Sequence, residues 1–212
     1  MNQPAEPPTV FIIDDDPQVR ASIAGLLKSV GLRSEIFGTA QEFLDSTRPD
    51  GHSCLVLDVR LPGMNGLDVQ RALAEKGVPI PIVFITGHGD IPMTVRAMKA
   101  GAVDFLAKPF RDQDLLDAVA AAIQRDEKRR EHEHMITELK AHFQLLTPRE
   151  REIMAFVASG LMSKQIAAKF ELSEITVKVH RSHLMKKMGA RSVADLVRMA
   201  EALGVTAVTP QR

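Results

Sequence analysis

The sequence predicts an α/β fold, a doubly wound five-stranded parallel sheet, joined by a helical linker to an all-α domain of four helices. Three observations predict it. Short apolar runs such as Thr9–Ile13 and Cys54–Leu57 lack helical spacing and end abruptly in charge, as strands buried on both faces of a parallel sheet do. Amphipathic segments alternate with those runs as far as Ile123, and strict alternation of strand and helix calls for parallel strands with helical crossovers. Beyond Leu146 the strands stop, and only capped, glycine-terminated helical segments follow.

The first strand, Thr9–Ile13, runs into Asp14, Asp15 and Asp16. Asp16 before Pro17 reads as an N-cap and first helical position, opening a helix with Val19, Ile23, Leu26, Leu27 and Val30 on one side and Gly31 as its stop. Leu32–Phe37 alternates as a second strand, and Thr39 with Glu42 forms a capping box for a short helix to about Ser46. Cys54–Asp58 is the third strand, followed by a Pro-Gly loop and a helix over Leu67–Lys76. Ile80–Thr86, Ile91–Ala100, Val103–Ala107 and Asp112–Ile123 continue the alternation, the last helix carrying Leu115, Leu116, Val119 and Ile123 on one face.

The strand ends collect chemistry. Ligands of open α/β sheets bind outside the carboxyl ends of the strands, and a flavodoxin-like strand order would gather Asp14 and Asp15, Asp58, Thr86 and Lys108 there. Three successive carboxylates repel one another at neutral pH, and a hard divalent cation that takes oxygen ligands relieves the repulsion. The set is coherent: Asp58 as a carboxylate nucleophile, Asp15 and Asp58 holding a metal, Thr86 offering a hydroxyl and Lys108 a cation. An aspartate that attacks phosphorus gives an aspartyl-phosphate, with catalysis carried mainly by charge neutralisation.

Residues 9–123 resemble the receiver domains of two-component response regulators, which are CheY-like. The resemblance is carried by Ile13-Asp14-Asp15-Asp16, by Leu57-Asp58 with Pro62-Gly63-Met64-Asn65-Gly66, by Ile85-Thr86-Gly87-His88-Gly89-Asp90 and by Ala100 to Phe110. It implies that Asp58 accepts phosphate from a sensor histidine kinase. It also implies that Mg²⁺ is held by Asp15, Asp58 and the backbone carbonyl of Arg60, with Asp14 acting through water. Thr86 and Lys108 would bind the phosphoryl oxygens, Phe105 would turn inward as they do, and the Lys108–Pro109 bond would be cis. Arg60 and His88 fall on positions that tune dephosphorylation in the family. The run Gly87–Lys99 is most similar to the FixJ branch.

After Ile123 the stretch Gln124–His134 is charged on every side, and a new apolar stripe of Ile136, Leu139, Phe143 and Leu146 follows with no Gly or Pro before Pro148. One long helix leaving the first domain, its polar middle spanning solvent, is expected over the join, with His132 and His134 as surface residues. Thr147-Pro148-Arg149-Glu150 then opens a helix with three agreeing signals. Ser163 is expected to cap a second helix, Ser173 a third over Glu174–Met188, and Ser192 with Asp195 to box a fourth. A tight turn between the second and third makes a helix-turn-helix. At about 100° per residue, Val177, Leu184 and Met188 face inward, while Ile175, Lys178, Val179, Ser182, His183 and Lys186 face out. Such a face suits phosphates and base edges in a major groove.

Residues 147–206 resemble the LuxR-type DNA-binding domain of the NarL and FixJ regulators. Leu146 to Glu152, Lys164-Gln165-Ile166-Ala167 and Thr176-Val177-Lys178-Val179-His180 carry the resemblance. It implies that Lys178 and Val179 reach bases, in a DNA-binding set of Lys164, Thr176, Lys178, Val179, Ser182, His183 and Lys186. Ser182 stands where some members carry a basic residue, so a relative's target sequence does not transfer.

Charge is distributed to match. Residues 1–124 hold 11 basic against 16 acidic side chains, residues 125–146 hold 5 of each, and residues 147–212 hold 11 against 6. A basic C-terminal part suits a polyanion, and an acidic N-terminal part suits metal or phosphate chemistry. Cys54 is the one cysteine, and no apolar stretch is long enough to span a membrane; a soluble, cytoplasmic protein without a membrane partner is expected. The division expected is a disordered tail (1–8), a receiver (9–123), a helical linker (124–146), a DNA-binding domain (147–206) and a tail (207–212). The function expected is a phosphorylation-dependent transcriptional regulator, read as an activator, that dimerises on phosphorylation, binds promoter DNA and engages RNA polymerase. It is not expected to be a turnover enzyme. A phosphatase with its nucleophile on the first strand would leave Asp58 unused, and Asp16-Pro17 departs from the Gly-Thr such enzymes place there. An inert receiver would lack a member of the acidic set, and none is missing.

Overall fold

The computed structural model describes residues 7–47, 49, 51–87 and 91–205, and the chain divides into two compact units between Arg130 and Glu131. Residues 1–6 of the expected tail at 1–8, residue 206, the expected tail at 207–212, and His88, Gly89 and Asp90 lie outside the described residues.

In the first unit, strands β1 (Thr9–Ile13), β2 (Arg33–Phe37), β3 (Ser53–Asp58), β4 (Ile82–Thr86) and β5 (Asp104–Ala107) form one parallel sheet in the order β2-β1-β3-β4-β5. Helices α1 (Pro17–Ser29), α2 (Ala40–Asp45), α3 (Gly66–Glu75), α4 (Ile91–Lys99) and α5 (Asp112–Gln144) follow the strands. Every residue of β1, β3 and β4 is buried, because the two-residue period of a strand sends alternate side chains into separate cores. Val10, Ile12, Cys54, Val56, Val83 and Ile85 pack with Ile23 and Leu27 of α1 and with Leu115, Val119 and Ala122 of α5. Phe11, Ile13, Leu55, Leu57 and Phe84 pack on the other face with Phe43 of α2, Val69 and Leu73 of α3 and Ala97 of α4. Cys54 belongs to the first core, where burial, with Asp126 contributing second, pushes its thiol up to about 12 and leaves it a packing residue.

The expected starts of three strands move inward, with Leu32 preceding β2, Ile80 and Pro81 preceding β4 and Val103 preceding β5, while β3 gains Ser53. The long helix over the join is present as α5, a single element of 33 residues. Its polar middle is not solvated on every side, however. Asp126 is 1% exposed and accepts a hydrogen bond from Ser53 N at 3.0 Å, while Arg129 and Arg130 pair with its oxygens at 2.6 and 2.9 Å. The first amide of β3 lacks a strand partner there, and a buried carboxylate neutralised by two arginines supplies it.

In the second unit, α6 (Pro148–Ala158), α7 (Ser163–Phe170), α8 (Glu174–Met188) and α9 (Val193–Ala202) enclose a core of Ile153, Met154, Val157, Ile166, Val177, Leu184, Met188, Leu196 and Ala200. The capping box is formed, with Thr147 Oγ1 accepting from Glu150 N and Glu150 Oε2 accepting from Thr147 N. Ser163 does not cap α7. The cap is Met162, whose amide donates to Gln165 Oε1 at 2.8 Å, and the Ser163 hydroxyl instead accepts from Arg181 of α8 at 2.9 Å. Glu171 ends α7 in the left-handed conformation, φ 55°, and so reverses the chain into the three-residue connection to α8.

Gly66 fixes the approach of α3 to the sheet. A Cβ at this position would lie 2.6 Å from the carbonyl oxygen of Asp58 and 3.0 Å from Val59 Cα, and the Gly66 amide donates to Val59 O at 2.9 Å. Gly66→Ala is therefore expected to destabilise the first unit by about 1–3 kcal/mol through overpacking against backbone, measured as a lower urea midpoint for its unfolding. A midpoint equal to that of the natural chain would contradict the close approach.

Candidate functional site

The sheet register assembles the site. Ile13 pairs with Leu57 and Thr86 with Ala107, so Asp14 and Asp58 leave β1 and β3 side by side, while Lys108 leaves β5 two strands away. Order β2-β1-β3 puts the reversal of strand order between β1 and β3, where ligands of doubly wound sheets bind. Lys108 reaches across β4, and its Nζ lies 2.5 Å from Asp14 Oδ2 and 2.7 Å from Asp58 Oδ2. Its backbone amide donates to Thr86 O at 2.7 Å, which ties the Lys108 loop to the end of β4. The Lys108–Pro109 bond is cis.

Asp14 and Asp58 are buried and Asp15 is exposed, yet one carboxylate oxygen from each lies within 4.8 Å of the others. Asp14 Oδ1 accepts from Asp16 N at 2.9 Å and Asp58 Oδ1 from Arg60 N at 3.0 Å. Among the described residues the Asp15 carboxylate has no protein partner. Burial pushes the Asp14 carboxyl above its ordinary value, outweighing the hydrogen bonds from Lys108 and Asp16 that favour the charged form. Burial pulls on Lys108 in the opposite sense, but hydrogen bonds to Asp14 and Asp58 more than offset it and its ammonium is held charged. Three convergent carboxylate oxygens, with one carboxylate unpaired, are a donor set that fits a small hard cation such as Mg²⁺. Thr86 is fully buried at the end of β4; Phe105 is half-buried, its ring 6.1 Å from that of Phe84.

On α8, Val177, Leu184 and Met188 are buried, and Ile175, Lys178, Val179, Ser182, His183 and Lys186 are exposed, with Ile175 reaching 75%. Lys178 lies 2.9 Å from Glu174, one turn earlier. The Thr176 hydroxyl is only 2.8 Å from that of the capping Ser173, and Thr176 is half-buried. Lys164 is exposed on α7.

Two family models match the chain: the response regulator receiver domain over residues 10–120, and the bacterial regulatory proteins of the luxR family over residues 144–200. The chain is a two-component response regulator of the FixJ/NarL type. It is 62% identical over 198 residues to Nodulation protein W of Bradyrhizobium diazoefficiens, an alignment covering 93% of this chain and 87% of that one. Among solved structures, response regulator StyR matches at TM-score 0.80 and 49% identity, over 92% of this chain and 98% of that one. Full-length FixJ from B. japonicum matches at TM-score 0.57 and 39% identity, over 95% and 98%. A response regulator with a LuxR-type domain is a DNA-binding transcriptional regulator rather than an enzyme of the usual kind, and its receiver implies a sensor kinase as partner. Among the described residues no helix is long and apolar enough to cross a membrane.

Sequence reading missed two contacts that hold this response regulator's sites in place. Arg20 donates from Nη1 to the carbonyls of Asp14 and Asp15 at 2.6 and 3.1 Å. A signal was present, because a cation in the first turn of α1 opposes the helix dipole and needs another reason to be there. In the LuxR-type domain Glu150 is buried, and beyond closing its capping box it accepts from Lys187 of α8 at 2.7 Å. Burial raises the Glu150 carboxyl, but the hydrogen bonds from Lys187 and Thr147 more than reverse that, and the net shift is below its ordinary 4.5. A depressed carboxyl contributes stability that is complete above the ordinary value and lost as pH falls through the folded one. Thermal unfolding of the full chain between pH 7 and pH 3 is therefore expected to show the LuxR-type transition falling more steeply below 4.5 in the natural chain than in Glu150→Gln. Parallel curves would remove the pair from the pH dependence.

Proposed function

We propose that Asp58 is the phosphoacceptor, and that its phosphorylation drives a receiver dimer that brings two LuxR-type domains onto adjacent half-sites of promoter DNA. The observation that carries this reading is the ammonium of Lys108 bridging Asp14 and Asp58 at the switch point of the sheet, beside Asp15, whose carboxylate no described residue pairs.

In the proposed reaction an Asp58 oxygen attacks the phosphorus of a kinase phosphohistidine; the O–P bond forms, the P–N bond breaks and the leaving imidazole is protonated. The Arg60 amide orients the carboxylate by holding Oδ1, and Lys108 stabilises charge on the transferred phosphoryl group. Asp15, Asp58 and the Arg60 carbonyl, with Asp14 through water, would hold Mg²⁺, which supplies neutralisation of the phosphoryl oxygens when bound. The Thr86 hydroxyl then accepts the role of second phosphoryl ligand, and Phe105 follows it inward. Arg60 and His88 occupy the positions that in the family tune how long the phosphoryl group survives.

Movement at Thr86 and Phe105 reshapes the face of α4 and β5. Ile91, Val95 and Met98 of α4 are exposed at 81%, 44% and 43%, along one side of the helix, and this is the surface a dimer would cover. Residues 124–146 act as the linker between receiver and DNA-binding domain. On DNA, Lys178 and Val179 reach base edges while Lys164, Thr176, Ser182, His183 and Lys186 contact the backbone or flanking bases, and the bound dimer engages RNA polymerase as an activator.

The test compares the natural chain with Asp58→Asn, with and without Mg²⁺ and a small phosphodonor, by light scattering and by binding to duplexes selected from a random pool. The natural chain is expected to dimerise and to bind DNA about tenfold or more tightly on phosphodonor treatment, and Asp58→Asn to do neither. Equal responses from both chains would remove Asp58 as the control point.

A further inference from the structure

We propose that Arg20 is a positioning residue for the cation site: its guanidinium clamps the backbone carbonyls of Asp14 and Asp15 and thereby aims the Asp15 carboxylate at Asp58. The proposal rests on the reading that Asp15 and Asp58 hold Mg²⁺.

The loop from Asp14 to Asp16 is assigned almost group by group. Asp14 Oδ1 accepts from Asp16 N, Asp14 Oδ2 from Lys108, and Asp16 Oδ1 from Gln18 N at 2.7 Å and Val19 N at 3.4 Å as the cap of α1. Asp15 is the member whose carboxylate no described group holds, so the placing of its backbone sets the point from which that carboxylate reaches the site. Arg20 holds that backbone, through Asp15 O at 3.1 Å and Asp14 O at 2.6 Å. The guanidinium is half-buried beside Gly38, where an added Cβ would stand 3.7 Å from its Nη1 and 3.7 Å from Glu42 Oε2; Glu42 in turn accepts from Gly38 N at 2.9 Å. Both bonds come from the one nitrogen Nη1, which thus holds the guanidinium between the β1 and β2 ends.

Two physical effects of Arg20 on a bound cation have opposite signs. Its positive charge repels the cation, so charge alone predicts tighter Mg²⁺ binding when it is removed. Loss of ligand orientation weakens binding, typically by about tenfold or more for partners one shell out from a metal. The sign of the change therefore separates a positioning role from a merely electrostatic one, and a purely structural staple would alter stability without altering affinity.

The experiment is calorimetric titration of MgCl₂ into the full chain for the natural protein, Arg20→Ala, Arg20→Met, Arg20→Lys and Asp15→Asn, with thermal unfolding of each in chelator. Arg20→Ala and Arg20→Met are expected to raise the Mg²⁺ dissociation constant about tenfold, and Arg20→Lys, which keeps the charge but displaces the donor nitrogen, to fall between them and the natural chain. The methionine variant keeps the packing of the stem and carries the comparison if the alanine variant unfolds. Affinity equal to or tighter than natural in Arg20→Met overturns the proposal, whatever its thermal stability. If Asp15→Asn binds Mg²⁺ as the natural chain does, the cation site itself is misassigned; if only Asp15→Asn loses binding, that site stands and the Arg20 clamp falls.

Discussion

Everything on the functional edge of the first unit depends on one electrostatic constraint: three carboxylates brought to the ends of two adjacent buried strands with one ammonium between two of them. The hydrophobic sheet supplies the position. Val10 to Ile13 and Cys54 to Leu57 are buried because each face of the sheet is covered, and where those runs end the chain delivers charge into a partly desolvated crevice. Burial alone would disfavour the ionised Asp14, and Lys108 offsets only part of that cost. The site is consequently short of positive charge in a way that a divalent cation corrects.

The same economy governs the backbone around it. Gly66 lets α3 begin against the carbonyl of Asp58, and the Lys108 amide bonds to Thr86 O. At the opposite end of β3, the buried Asp126 accepts from the first strand amide. The strand that carries the proposed phosphoacceptor is thus gripped at both ends, at its carboxyl edge by the α3 approach and at its amino edge by α5, whose continuation forms the join.

The strands and helices were legible because each is announced by a local rule. Continuous apolar runs ending in charged or polar residues read β1, β3 and β4, and Thr147, Ser173 and Ser192 accept the capping bonds their positions imply. The Asp14, Asp15, Asp58 and Lys108 cluster was legible because parallel strands bring sequence-distant ends to one edge. What escaped depends on long-range partners that no local rule reports. Asp126 sits among charges that look solvated until Ser53 is placed beside it, and Ser163 looks like a cap until Arg181 claims its hydroxyl. Arg20 could be doubted at its position on the dipole argument, but its targets are backbone carbonyls, which a sequence does not display.

The most direct test of the account is chemical identification of the phosphorylated residue. The natural chain would be treated with Mg²⁺ and a small phosphodonor, reduced with borohydride, which converts an aspartyl-phosphate to homoserine, and mapped by peptide mass spectrometry. The account predicts homoserine at Asp58 and at none of Asp14, Asp15 or Asp16. Label on any residue of the β1 triad, or a chain that takes no label while its fold is intact, would contradict it.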